Sequence, residues 1–516
     1  MFIQRYVTKA SAEMMELLSN AEMNEADRLA ISHGVAGIDL MEKAGRAVAN
    51  SVFRRHPPGT LITIVAGPGN NGGDGLISAR LLKERRYRTR VLLLSDVDRF
   101  KGDARSAAQR WGGPYEPAAP DAVGPHSVVV DALFGAGLDR PVEGLARNMI
   151  EAMNRAGCVH AVDLPSGING SSGTVMGLAV RATETVTFFR RKLGHVLLPG
   201  RVHCGAIYVA DIGIGSRTLA TINPRAWINS PELWLEMFPV PAVAGHKYSR
   251  GHAVVVSGGL YTTGAARLAA RGALRAGAGL VTIASPRDAL GVNAAANLAV
   301  MVRPVEGEVE FTKFLQDARR NAVVIGPGGG VGEQMRKMVF AALAGERAVV
   351  LDADALTSFA EDPRALIDAT AGRTSATLIT PHEGEFSRLF KAMDEIANAS
   401  SKLERARLAA IRTGAICLLK GADTVVAAPD GRASILAEAP PGLASAGAGD
   451  VLAGIAGGLL AQGMPAFEAA SAAVWLHAQS GRVAGPGLIA EDLSEALPPI
   501  YARLFERIAA WRRNHR

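Results

Sequence analysis

Leu61-Ile62-Thr63-Ile64-Val65 is a short apolar run that ends in glycines, the pattern of a strand buried on both faces of a parallel sheet. Before it, residues from about 20 to 56 place Leu29, Val35, Ile38, Leu40, Met41 and Val48 at irregular but helix-like intervals, which predicts helix. After it, the spacing predicts a helix from about Leu76 to Arg86 and a strand at 90–94. Two further strands are expected at 127–130 and 159–162, each followed by Asp. Strands alternating with helices predict a doubly wound α/β domain, whose ligands sit beyond the carboxyl ends of its strands. Between about 213 and 250 the pattern breaks and proline recurs at Pro224, Pro231, Pro239 and Pro241, a domain junction. The α/β rhythm then resumes, with strands expected at 252–256, 280–284, 322–325, 348–351, 377–379 and 415–419, and a helix from Val451 to Leu460. Two α/β domains, 15–222 and 230–510, follow, with no 20–50-residue repeat in the chain.

Composition narrows the class. Of 516 residues, 48% are hydrophobic and 20% charged, the balance of a globular protein long enough for two or three cores. The longest apolar stretches, such as Val451 to Ala461, are too short and glycine-rich to cross a bilayer. Glu13, Glu16 and Glu22 after only Arg5 and Lys9 do not fit a signal peptide, so a cytoplasmic protein without a membrane partner is expected. Cys158, Cys204 and Cys417 lack both metal-type spacing and a disulfide framework, and read as ordinary buried small residues. The net charge of +7 is dispersed except at Arg512, Arg513, His515 and Arg516, which favours anionic small ligands over nucleic acid.

The chemistry concentrates at strand ends. Gly67-Pro-Gly-Asn70-Asn71-Gly72-Gly73-Asp74-Gly75 follows a strand and opens a helix, offering backbone N–H groups and a helix dipole to an anion. It is neither a Walker loop nor the dinucleotide fingerprint. Asp131 precedes Ala132 to Leu138, and Asp163 opens Asp163-Leu-Pro-Ser166-Gly167. A single Asp after a strand serves equally as a helix cap, but three oxygen-rich strand ends on one sheet edge favour a ligand or cation cluster. These segments, with Leu40-Met-Glu-Lys-Ala-Gly45 and Lys192-Leu-Gly-His195, resemble the NAD(P)H-hydrate epimerase family over most of residues 15 to 215. The resemblance implies a Rossmann-like three-layer domain that interconverts the two epimers at carbon 6 of hydrated NADH or NADPH.

By matched position, Asn70, Asn71, Gly72, Gly73 and Asp74 would line the substrate with Gly135, Ala136, Gly137, Leu138, Asp139, Arg140 and Pro141. Asn71, Asp131 and Ser166 would hold a potassium ion, and Asp163 would contact the substrate. Epimerisation through a planar iminium asks for a carboxylate with a polar partner. Asp163 is the candidate acid/base and Lys192 its partner, a role that stands beside that of a solvated surface lysine next to Arg190 and Arg191. Relatives that serve as non-catalytic binding modules keep a scaffold reading of this half open.

In the second half, Gly447-Ala448-Gly449-Asp450 starts a helix, placing backbone amides and a carboxylate where a phosphoryl group could be transferred. Asp450 then acts as base toward an acceptor hydroxyl, the alternative being a plain N-cap. Lys420-Gly421-Ala422-Asp423-Thr424, Gly326 to Gly330, Asp352-Ala-Asp354 and Thr380-Pro-His382-Glu383-Gly384-Glu385 follow other strands of the same sheet. With His246-Lys247, Gly251, Gly264-Ala265-Ala266 and Ala273 to Leu280, they resemble the ribokinase-like superfamily, and within it the ADP-dependent NAD(P)H-hydrate dehydratases, over about 240–500.

That resemblance implies that Lys420, Gly421, Ala422, Asp423, Thr424 and Gly449 bind the adenosine nucleotide. Ala265, Gly328, His382 and Asp450 would contact the hydrated dinucleotide. Magnesium is expected with the phosphates, with Glu385 either an indirect ligand or a solvated helix-start acid. Ala448 stands where such proteins usually have Thr or Ser, and Glu383 where Pro is common. The expected function is two-step repair of NADHX and NADPHX with ADP as co-substrate, in a homo-oligomer. The alternative is a vitamin-precursor alcohol kinase carrying a non-catalytic N-terminal module.

Overall fold

A computed structural model describes residues 15–514. Arg5, Lys9 and Glu13 of the targeting argument, and His515 and Arg516 of the basic tail, lie outside the described residues. The chain divides after Ala226 into two compact units.

Among the described residues, the main sheet of the first unit has seven strands: β1 (Leu61–Ala66), β2 (Arg88–Leu93), β3 (Glu116–Pro117), β4 (Val128–Ala132), β5 (Cys158–Val162), β6 (Glu184–Phe188) and β7 (Ala206–Ala210); Leu17–Leu18 and Arg191–Lys192 pair in a small sheet of their own. Their spatial order is β3-β2-β1-β4-β5-β6-β7, every pair parallel. Side chains of β1 alternate between layers: Ile62, Ile64 and Ala66 enter the core on one face, and Val65 enters that on the other. Helices α1 (Asn20–Ser32), α2 (Gly37–Arg55), α3 (Asn70–Glu84) and α4 (Gly102–Trp111) cover the first face, and α5 (Gly144–Met153) covers the second.

Three expectations are corrected here. The helical stretch 20–56 is two helices, because a Ser19–Glu22 capping box starts α1 and Gly34, at φ +92°, breaks the chain before α2. Helix α3 starts at Asn70, not near Leu76, so the Asn-Gly-Asp segment forms its first turns. Strand β6 escaped the apolar pattern, since Glu184, Thr185 and Thr187 are polar yet buried, with Thr185 Oγ1 donating to the Cys204 carbonyl, and the sheet ends on an unexpected edge strand, β7, of which only Ala210 is buried.

The second unit has ten strands: β8 (Ala226–Ile228), β9 (His252–Val256), β10 (Leu280–Ser285), β11 (Met301–Pro304), β12 (Ala322–Ile325), β13 (Ala348–Leu351), β14 (Thr377–Ile379), β15 (Ile416–Leu419), β16 (Val425–Ala427) and β17 (Ala433–Ile435). They are ordered β8-β17-β16-β15-β14-β13-β12-β9-β10-β11. From β15 to β11 the neighbours are parallel, while β15-β16-β17 is an antiparallel meander. The first edge strand, β8, comes from the stretch whose sequence broke the pattern. Helices α6 (Thr263–Arg275) and α7 (Ala448–Ala461) cross at close range. A Cβ at Gly454 or Gly458 would collide with the carbonyl of Ala269 or Ala273. Helix α7 is buried from Val451 to Ala461, which explains why it is apolar on all sides. Among the described residues, no helix is long and apolar enough to cross a membrane.

The glycine contacts give a paired test. Gly454→Ala drives a methyl group into the α6 backbone and is expected to cost about 1–3 kcal/mol in urea unfolding. Gly264→Ala, on the same helix pair but facing open space, is expected to be neutral or to stabilise by up to about 1 kcal/mol.

Candidate functional site

In the first unit, the C-terminal ends of β1, β4 and β5 open into a cavity of about 970 Å³. Asp163, directly after β5, adopts φ +63°, a left-handed conformation that few non-glycine residues occupy. Its N–H donates to the Val186 carbonyl at 2.8 Å, which fixes the turn. Lys192 is 1% exposed and its Nζ lies 2.7 Å from Asp163 Oδ1. The same ammonium donates to Thr187 Oγ1 at 2.9 Å and to the Phe188 carbonyl at 3.1 Å. The structure therefore decides against a solvated surface lysine.

Thr187 Oγ1 and the Ala136 N–H also donate to the Asp163 carboxylate. Burial opposes its charge, but Lys192, His195 and Thr187 prevail and hold Asp163 below the ordinary carboxyl range. Burial pushes His195 down to about 4, so the ring is neutral. Its Nδ1 accepts the Lys192 N–H at 2.9 Å, which leaves Nε2–H to donate to the Asp163 carbonyl at 2.8 Å.

Two more acids complete the cluster. Asp74, on α3, lies well above its ordinary value because of burial first, with the charges of Asp163 and Asp27 adding to it. Asp27, on α1, lines the cavity; burial, opposed by Lys192 and reinforced by Asp163, raises it to about 6. Sequence reasoning missed Asp27, which sits between Ala26 and Arg28 in no strand-end motif. The only signal was a carboxylate on the helix face that carries the buried Met23 and Ala30.

Asn70, Asn71, Asp74, the run Gly135 to Pro141, Asp163 and Lys192 all meet on the cavity wall. Gly72 and Gly73 do not reach it. A Cβ at Gly72 would collide with the Gly67 carbonyl, and one at Gly73 would stand 2.6 Å from Met41 Sδ. The absence of a side chain at these two positions lets α3 pack closely. Asp131 and Ser166 lie beneath the cavity floor, fully buried. Ser166 donates to Asp131 through its N–H at 2.8 Å and its hydroxyl at 2.6 Å, and accepts the Phe134 N–H at 2.9 Å. Burial raises Asp131 to about 6 despite the Ser166 hydrogen bonds, and no cation among the described residues offsets it. Asn71 Nδ2 is buried without a hydrogen-bond partner.

The second unit repeats the device. Asp352 follows β13, and its Oδ1 accepts Lys420 Nζ at 2.7 Å and Thr380 Oγ1 at 2.8 Å. Burial lowers Lys420 less than Asp352, Glu385 and Asp450 raise it, so it is firmly charged. Asp450 stands in the first turn of α7, after Gly447 at φ +84°. Burial and the Asp352 charge, opposed by Lys420, push it up to about 6. Gly449 reaches the same ammonium, since a Cβ there would lie 3.5 Å from Lys420 Nζ. Ala265 and Gly328 are neighbours, with the Ala265 Cβ 3.1 Å from where one on Gly328 would stand.

Other candidates have structural duties. Asp423 is tied to Lys402 Nζ at 2.8 Å, and Thr424 Oγ1 closes its own turn by accepting the Gly421 N–H and donating to the Gly421 carbonyl. Within Lys420 to Thr424, these two side chains face inward, which leaves the backbone of Gly421 and Ala422 as the presented surface. His382 caps the helix Glu383–Leu389 by accepting N–H groups at Nδ1, and Glu385 returns the bond to the His382 N–H at 2.9 Å. Glu385 is a helix-start acid but is buried rather than solvated.

Family models match both units: YjeF-related protein N-terminus over residues 37–194 and NAD(P)H-hydrate dehydratase over 253–498. The bifunctional NAD(P)H-hydrate repair enzyme of Moorella thermoacetica is 36% identical, covering 96% of this chain and 98% of that protein. Its counterpart in Coxiella burnetii is 34% identical, covering 93% and 98%. The chain belongs to the bifunctional NAD(P)H-hydrate repair enzymes. An ADP/ATP-dependent NAD(P)H-hydrate dehydratase from Bacillus subtilis, co-crystallised with ATP and Mg2+, is 26% identical and covers 54% of this chain and 98% of its own, at a TM-score of 0.46. In this repair enzyme, Asp163 and Lys192 fall inside the first matched region, and Asp352, Lys420 and Asp450 inside the second.

The Asp163–Lys192 pair predicts a pH signature. Lys192→Met leaves Asp163 buried without its counter-charge, at a cost of about 3–5 kcal/mol near neutral pH. With Lys192 present, Asp163 titrates below its unfolded value and stabilises the fold above the carboxyl range. Without it, burial raises Asp163, and the penalty grows as pH rises through that range. Urea unfolding should therefore show the two proteins converging as pH falls below about 4 and furthest apart at neutral pH.

Proposed function

We propose that the first unit epimerises carbon 6 of NAD(P)H hydrate and that the second dehydrates the S epimer at the expense of ADP. The observation that carries this reading is the contrast of carboxyls within each site. In the first, Asp163 is held ionised by Lys192 while Asp27 is raised to about 6 and Asp74 further. Such a divided set can supply both a proton and a counter-charge. A protonated carboxyl, Asp27 by position, donates to the departing carbon 6 hydroxyl, which leaves as water. The nitrogen lone pair forms the iminium, and the Asp163 carboxylate stabilises its positive charge. Water returning to the other face restores the proton and yields the opposite epimer.

Asp131, Ser166 and Asn71 offer a potassium ion a carboxylate that burial raises and that no charged group among the described residues offsets, a hydroxyl and the carboxamide Oδ1, all oxygen donors for a weakly charged cation. The ion would neutralise Asp131 and brace the loop after β4, through the Ser166 contact to Phe134.

In the second unit, Asp450 accepts the proton of the carbon 6 hydroxyl as its oxygen attacks the β-phosphorus of ADP and AMP leaves. Lys420 and the first turn of α7, whose backbone N–H groups no side chain caps, would face the phosphoryl charge. Phosphate then departs from carbon 6, pushed by the ring nitrogen, and loss of the carbon 5 proton regenerates the reduced nicotinamide. Asp352, Glu385 and Asp450 set three carboxyls around Lys420, and Asp354 acts on Asp450, an acid excess that fits magnesium carried in on the phosphates. Magnesium would offset charge on the transferring phosphoryl group.

Mixed hydrate epimers incubated with ADP and magnesium test the whole reading through recovery of reduced-nicotinamide absorbance. Asp450→Asn should lower recovery by about 10²–10⁴-fold, and the wild-type rate should fall as pH drops through about 6, where Asp450 takes up a proton. Asp163→Asn should leave a fast phase on the S epimer and a slow remainder limited by spontaneous epimerisation. R epimer consumed at the normal rate by that variant overturns the epimerase assignment. Phosphorylated alcohol accumulating without recovery would point to a kinase.

A further inference from the structure

At the amino ends of β5 and β6, away from the cavity, a second cluster lies in the first unit. Cys158 and His160 are two residues apart on β5, so both point to one face of the sheet. His56 caps the C-terminus of α2, which packs over that face. Here His56 Nε2 lies 3.2 Å from His160 Nε2, and Cys158 Sγ lies 3.6 Å from the same nitrogen. The three ligand atoms all fall within 4.8 Å of one another. Tetrahedral zinc, with bonds of about 2.0–2.1 Å to nitrogen and about 2.3 Å to sulfur, sets its ligand atoms roughly 3.4 Å (N to N) and 3.6 Å (N to S) apart. Two of the three edges already match.

The surrounding hydrogen bonds fix the ring for this task. Glu184 is paired with Arg54 and Arg55 at 2.8 Å each, so its carboxylate only accepts. The Ser51 hydroxyl must therefore send its proton to Glu184 Oε1, at 2.6 Å. Ser51 Oγ also lies 2.6 Å from His160 Nδ1, which must carry the ring proton and donate. His160 Nε2 is left with a bare lone pair aimed at His56 and Cys158. A histidine whose far nitrogen is held by a hydroxyl–carboxylate relay is the arrangement that orients metal-bound imidazoles. His56 and Cys158 are half-buried, which leaves room for a water as fourth ligand.

We propose that Cys158, His56 and His160 form a zinc site that clips the end of α2 to β5. It is independent of the epimerase chemistry: Asp163 lies three residues beyond His160, about 10 Å along the chain.

Cobalt(II) is the probe for the full-length protein, with the thiols kept reduced by a non-thiol reductant. One equivalent should produce a thiolate-to-cobalt charge-transfer band with tetrahedral visible bands, lost on adding one equivalent of zinc. Zinc should also raise the unfolding temperature. Cys158→Ser should abolish the charge-transfer band, and His56→Ala should weaken cobalt binding tenfold or more. Both variants should keep the wild-type epimerisation rate, which reports that the unit is folded. Absence of a band at one equivalent overturns the site. So does a band that survives in Cys158→Ser, or cobalt bound equally tightly by His56→Ala, the half-buried ligand whose loss leaves the strand intact.

Discussion

Each unit sets a lysine, fully buried in the first and partly buried in the second, against an aspartate that follows a parallel strand, and the rest of each site is arranged around that pair. Lys192 meets Asp163 after β5 and Lys420 meets Asp352 after β13, both at 2.7 Å. A buried ammonium is tolerated only when its charge is matched and its protons are placed. Thr187 and the Phe188 carbonyl do this in the first unit, and Thr380 shares the Asp352 oxygen in the second. Burial then works against any further carboxylate brought alongside, the aspartate of the pair adds to the effect, and the lysine opposes it only in part. That leaves Asp27 and Asp450 each near 6, poised to exchange protons around neutral pH.

The close backbone approach in both units serves these pairs. In the first, Gly72, Gly73 and Gly75 let α3 press against the Gly67 turn, Met41 and Ala132, which brings Asp74 and Asn71 to the cavity. In the second, Gly454 and Gly458 let α7 lie on the α6 backbone, which fixes where the first turn of α7 and Asp450 stand. The high glycine content therefore reflects helix packing as much as ligand amides, and the same packing sets the acids.

Strands made of β-branched runs, such as His252 to Val256 and Ala322 to Ile325, are legible in the sequence because both faces of a central parallel strand are apolar. Strand β6 is not, since its buried polar residues find partners that only the folded chain supplies. Asp163, Asp450 and Lys420 stood out because each follows a strand or starts a helix within a glycine-rich segment. Asp27 carried no such mark, and its role depends on α1 lying over the ends of strands far away in sequence.

By itself, the sequence determined two α/β units, the strand ends that bear chemistry, and membership of a family whose motifs are local strings. Those features depend on neighbours within a few residues, where periodicity and turn chemistry act. Tertiary structure alone decided that Lys192 is buried rather than solvated, that Gly72 and Gly73 pack against the Gly67 carbonyl and Met41, and that Asp423 and Thr424 turn inward. It also brought His56 to Cys158 and His160 across about a hundred residues. Burial, and the charges that burial forces together, are set by segments remote along the chain, and no spacing in the sequence encodes them.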